Sequence, residues 1–256
     1  MPEPLYTPDG DLLVPGQITQ GPWSPDSQHG GPVAALLART IESVDPPGPM
    51  QLVRMTVDIL KPVPIRPLLA AAVVSRPGRK VQVVDAHISV DGQDVAWARG
   101  LCLRSEPVEV PAPEPALAGP APPENLDRAR LRARTPFAEA VDIRFISGAW
   151  DELGPATIWT RLTVPVVAGE EASPMQRSAA GADFANGVSR VVDFDTHVFV
   201  NPDLTVALSR VPEGEWIGFE MASRLSPSGY GQAECLIFDT EGPVGRAVQS
   251  LYVERR

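Results

Sequence analysis

The positions Val33, Leu36, Leu37, Thr40, Ile41 and Val44 fall at i, i+3, i+4, i+7, i+8 and i+11, which predicts a helix with one buried face. Pro32 suits its first turn, where a missing N–H is no loss, and Asp45-Pro46-Pro47-Gly48-Pro49 stops it. The period then changes to two. Residues 52–60 alternate, 68–75 and 81–90 are β-rich, and 95–104 return after the turn Asp91-Gly92. Ahead of the helix, Pro8-Asp9-Gly10 marks a turn between two short strand-like pieces in 6–14. The first half reads as one helix followed by four strands in antiparallel meander.

The second half repeats that order. Strands are expected at 141–145 and 156–164, then a helix at about 176–190 with Phe184, Val188, Val191 and Val192 on its apolar face. Further strands are expected near 204–210, 215–224, 230–239 and 244–254. A shift of about 150 residues aligns Gly31 with Gly181, Gln82 with Gln232, and the turn Asp91-Gly92 with Glu241-Gly242. Met55-Thr56-Val57 and Lys61 align with Leu204-Thr205-Val206 and Arg210 at a shift of 149. An internal repeat means two copies of one fold unit packed together. Seven prolines fall between Pro107 and Pro123, mixed with Ala and Glu, so no core forms there. The expected division is residues 1–105, a Pro-rich linker over 106–135, and residues 136–256.

Composition narrows the partners. The chain has 256 residues, net charge -10 and a sequence pI near 4.8. That balance argues against nucleic acid and anionic membrane, which want Lys and Arg on a face. No apolar run approaches the ~20 residues that span a bilayer, and the start MPEPLYTPDGD does not read as a signal peptide. Cys102 and Cys235 lie in strand-like runs and have no metal or disulfide spacing; two buried reduced thiols and a cytoplasmic location are expected. No Gly-x-Ser-x-Gly or Gly-x-Gly-x-x-Gly occurs, which disfavours an α/β-hydrolase and a dinucleotide-binding fold.

Two stretches carry a family resemblance: His29-Gly30-Gly31 with Val33-Ala34-Ala35-Leu36-Leu37, and 206–216 leading to Ala247-Val248-Gln249. They resemble the type II acyl-CoA thioesterases and the wider thioesterase-like superfamily. The resemblance implies an α+β double hotdog, two tandem copies of a long helix wrapped by an antiparallel β-sheet. It implies hydrolysis of acyl-CoA thioesters to free acid and CoA, with no metal and no cofactor beyond the coenzyme A of the substrate. A homodimer paired through sheet edges is expected.

In that family an Asp on the second helix, a Thr or Ser on a following strand and a Gln on the last strand hold the attacking water. Matching the motifs puts these roles on Asp183, Asn201 and Gln249, with Asn201 a departure because an amide cannot be a nucleophile. At a shift of 150, Asp183 faces Val33 and Gln249 faces Arg99, so one live site per chain is expected. The carboxylate can take a proton from water or attack directly. Backbone N–H groups at a Gly-containing helix start, Gly30-Gly31 or Gly181, can hold the oxyanion. Arg76, Arg79 and Lys80 form the clearest basic cluster and are expected at the phosphates of coenzyme A. His29 can line the site or cap the turn. Two other readings stay open: a non-catalytic acyl-thioester-binding or scaffold protein, and a hotdog enoyl-CoA hydratase or dehydratase. The latter wants an Asp/His pair before the central strand, and 194–203 has those residue types in the wrong order.

Overall fold

The computed structural model describes residues 3–110, 122–129 and 135–256; the remainder of the proposed linker lies outside the described residues. The chain begins with a hairpin, β1 (Tyr6–Asp9) and β2 (Leu12–Pro15), turned at Gly10 with φ +59°. Helix α1 (Gly30–Glu42) follows, then β3 (Met50–Ile59), β4 (Leu69–Arg76), β5 (Val81–Val90) and β6 (Gln93–Arg104). The second half contains β7 (Val141–Ser147), β8 (Ala156–Leu162), α2 (Pro174–Ala182), α3 (Ala185–Val188), β9 (His197–Val200) and β10 (Asp203–Leu208). It closes with β11 (Ile217–Ser226), β12 (Tyr230–Asp239) and β13 (Gly242–Arg255).

All strands after the first hairpin join one sheet in the order β4-β5-β6-β3-β10-β13-β12-β11-β8-β7, with β9 pairing β13. The first copy is therefore not a simple meander. Strand β3 lies beside β6, Met50 opposite Arg104, because the loop over 60–68 carries the chain from β3 to the far edge, where β4, β5 and β6 then return as hairpins. The two copies meet at β3 and β10, where Thr56 and Thr205 face each other and their hydroxyls are 3.2 Å apart. That pair sits where the shift of 149 predicts the copies to correspond.

Only one of the two expected long helices exists. Helix α1 runs 13 residues with nearly every inward position buried. The second stretch breaks after nine residues of α2, at Asp183-Phe184, and resumes as the four-residue α3. Val191 and Val192 lie beyond both. Gly181, Asp183, Asn186 and Gly187 are poor helix formers clustered within about two turns, so the apolar period does not carry the helix through.

The helices run antiparallel and touch closely. A Cβ on Gly31 would lie 2.6 Å from Phe137 and 2.9 Å from the Ala180 carbonyl, so only glycine permits this approach. Gly181 does the same against the sheet, where a Cβ would meet Phe219 and Thr160. The loop ahead of α1 is pinned from several sides. His29 N–H donates to Thr19 O at 2.8 Å and Gln28 N–H to Val63 O at 2.8 Å. The buried Tyr6 hydroxyl donates to Gln28 Oε1 at 2.6 Å, and burial pushes its phenol pKa well up.

Candidate active site

The break in the second helix creates the site. Asp183 is the C-cap of α2 and is 3% exposed. A carboxylate there must be hydrogen-bonded, since an isolated charge out of water is costly. Asn201, just after β9, donates Nδ2–H to Asp183 Oδ1 at 2.7 Å and accepts from Asn186 Nδ2 at 3.3 Å. Gln249, on the inner face of β13, donates Nε2–H to the same oxygen at 3.2 Å. Three residues from a helix end, a loop and the final strand, spread over 67 positions of sequence, thus converge as the motif match expects. The Oε1 atom of Gln249 is buried and has no partner among the described residues, although the side chain is 1% exposed.

The fourth member comes from the other copy. His29 is the N-cap of α1, its Nδ1 accepting from Gly31 N–H at 3.1 Å. The same Nδ1 stands 2.7 Å from Asp183 Oδ2. That nitrogen has one in-plane site, so with a proton it donates to Asp183 and without one it accepts from Gly31 N–H; the two contacts are alternatives. Rings of Phe137 and Phe184 flank the imidazole at 5.0 and 5.1 Å, which fixes its plane. Gly30 completes the contact: a Cβ there would fall 2.6 Å from Asp183 Oδ1. His29 and Asp183 are 154 residues apart, and no local pattern links them.

Both halves of the chain match family models of acyl-CoA thioesterases: the N-terminal domain over residues 19–105 and the C-terminal domain over 108–253. The chain belongs to the acyl-CoA thioesterase family. A hot dog fold protein of unknown function from Alicyclobacillus acidocaldarius is 18% identical, with 97% of this chain and 95% of that chain covered and a TM-score of 0.74. A candidate thioesterase from Novosphingobium aromaticivorans is 22% identical over 98% of both chains, with a TM-score of 0.73. The acyl-CoA thioesterase II TesB2 from Mycobacterium marinum is 15% identical over 97% of this chain and 94% of that one, with a TM-score of 0.68. At such identities the likeness establishes the shared hotdog fold. No curated protein matches the chain.

Three expectations about this thioesterase-family site change. Gly181 cannot supply oxyanion donors from a helix start, because it lies in the last turn of α2 and packs on Phe219. The counterpart of Gln249 in the first copy is Gly100 rather than Arg99. The seam pairs Thr205 with both Val248 and Thr56, and Thr56 in turn faces Arg99, so the true shift across these strands is 149. Arg99 points outward to Asp85, at 2.7 Å. The first copy holds Gly100 where the second holds the amide of Gln249.

Arg76, Arg79 and Lys80 are the third case. They form an exposed hairpin end beside Arg104, whose N–H donates to Lys80 O. Asn201 and Pro202 lie at the Ile59 end of β3, where Ile59 N–H donates to Pro202 O at 2.7 Å. The ten residues of β3 separate the two ends by about 30 Å. The structure does not bring the basic cluster to the carboxylate of its own chain. Among the described residues, no helix is long and apolar enough to cross a membrane.

Proposed function

We propose that this chain hydrolyses acyl-CoA thioesters by water attack at the His29–Asp183 pair. The observation that carries the reading is a buried carboxylate held by Asn201, Gln249 and His29 at the glycine-lined start of α1. Hydrogen bonds from Asn201 and Gln249 hold the Asp183 carboxylate in one orientation, as a positioned general base needs. Water gives a proton to the pair while its oxygen attacks the thioester carbonyl carbon. The free Oε1 of Gln249 accepts the second water hydrogen. It is a buried acceptor that otherwise costs about 1–3 kcal/mol to leave unsatisfied. The N–H of Gly30, at the open end of α1, stabilises the developing oxyanion. As the C–S bond breaks, the proton passes from the pair to sulfur, and free acid and CoA leave.

Asn201 replaces the hydroxyl of the family pattern. It makes the same donation to the carboxylate that a Thr or Ser would make, so the departure leaves the base oriented. One observation keeps a second reading in view: an Asp/His pair is what a hydratase of this fold uses, and here it forms between Asp183 and His29 instead of within 194–203. The two readings separate in one experiment. The purified protein is incubated with short- to long-chain acyl-CoAs and a thiol reagent, then with a trans-2-enoyl-CoA. Thiol release from the saturated esters is the expected result. Loss of enoyl absorbance without thiol release would establish hydration instead, and binding with neither would leave a non-catalytic carrier.

A further inference from the structure

The antiparallel helices make a second meeting of carboxylate and N-cap, at their other ends. Glu42 is the last residue of α1, as Asp183 caps α2, and its carboxylate reaches the N-cap of α2. Ser173 donates its hydroxyl to Glu42 at 2.7 Å and accepts from Gln176 N–H at 3.2 Å, and Gln176 Nε2 donates to Glu42 at 3.0 Å. Burial pushes the Glu42 carboxyl above its ordinary range, against the hydrogen bonds from Gln176 and Ser173.

This end opens into a cleft of about 440 Å³. Its walls include Val44, Met50, Leu52 and Val84. Gln82, inward-facing on β5, also lines it; the residue is 4% exposed and its amide makes no hydrogen bond among the described residues. An amide with no protein partner on the wall of an open cleft is free to bond a ligand. The one arginine at the mouth, Arg39, is held by Glu170 with Nε to Oε2 at 2.9 Å, so nothing here offers a free cation to a phosphate. A volume of this size with apolar walls and a few convergent polar groups suits a small ligand.

We propose that this cleft is a second, separate binding site for an acyl chain joined to a neutral secondary amide, the chemistry of a pantetheine arm. The amide N–H would donate to a remaining lone pair of Glu42, which accepts three contacts at most from Ser173 and Gln176. The amide C=O would accept from Gln82 Nε2, and the chain would lie along Leu52 and Val84. The choice of ligand rests on the thioester reading above; the site itself rests on the cleft and its unpaired amide.

The probe is S-dodecylpantetheine, a thioether that cannot be hydrolysed, titrated by calorimetry into the full chain. The wild type should show one binding equivalent that weakens at least tenfold in Gln82→Met, which keeps volume and removes the amide. Val44→Trp, which fills the mouth from a partly exposed position, should remove the same equivalent. Hydrolysis of dodecanoyl-CoA should be unchanged in both variants. If the wild type shows no equivalent sensitive to these two changes, the proposal is overturned while any measured hydrolysis stands. If that equivalent is present and no thioester is hydrolysed, the cleft stands and the thioesterase reading falls.

Discussion

Gly30 lacks a side chain where Asp183 occupies the space one would fill. Gly30→Ala sets a methyl group 2.6 Å from Asp183 Oδ1, so the carboxylate must move. A displacement of this order costs about 10²-fold in rate when it misplaces a reacting group. The expected outcome is a kcat lower by about that factor, with a circular-dichroism spectrum like that of the wild type. His29 combines two jobs that one substitution can separate. Asparagine is a strong N-cap but cannot share a proton with Asp183. His29→Asn should therefore lower kcat by about 10²-fold and leave the thermal midpoint close to that of the wild type; equal loss of both would make His29 a cap alone. Much of this site was legible in the sequence. Asp183, Asn201 and Gln249 converge from the motif match, and Gly30 from its place in the helix start. The tie between His29 and Asp183 was not legible, because it crosses between the copies. Gly181 was misplaced because a glycine in a helical period does not reveal which end of the helix it occupies.

At the scale of elements, β12 ends on a carboxylate that secures the loop after β10. Asp239 is fully buried and is bound by both terminal nitrogens of Arg210 and by the N–H groups of Glu213 and Glu241 at 2.9 Å. Burial opposes the charge, yet the hydrogen bonds from Arg210 and the two backbone N–H groups outweigh it and hold the carboxyl below its usual range. Stability from this group is complete above the unfolded carboxylate pKa of about 3.9 and disappears as pH falls through the lower folded value. Asp239→Asn should cost about 3 kcal/mol at neutral pH, as expected on removing one partner of a buried pair. The difference from the wild type should shrink below pH ~4, measured by urea denaturation; a cost that stays constant into acid would assign the loss to packing. The strands were legible where alternation was clean, as in β5 and β13. Four-residue β9 was not, since it is ordered by contacts distant in sequence, its pairing with the end of β13 and the packing of Phe199 on Trp23. The long second helix was wrongly expected because apolar spacing was followed through residues that favour ending a helix.

At the scale of the molecule, duplication builds one sheet and two unlike ends of a helix pair. Thr56 and Thr205 mark the centre of the correspondence, and from there the copies diverge: Gln249 is matched by Gly100, and the Asp183–His29 contact by the Glu42–Ser173 contact beside its cleft. The repeat could be read in the sequence, but its register was one residue off in these strands, and six off over the helices, whose N-caps His29 and Ser173 are 144 apart, so Gly181 and Asp183 do not match Gly31 and Val33. One residue in a strand turns a side chain to the other face. That is why Arg99, which faces outward, stood in for Gly100. The same divergence makes one reactive carboxylate per chain the central claim. Its most direct test is the rate of thiol release from dodecanoyl-CoA by Asp183→Asn, measured beside the wild type with matched unfolding curves. The account predicts a kcat lower by about 10²- to 10⁴-fold, the range for loss of a general base; turnover equal to that of the wild type would contradict it.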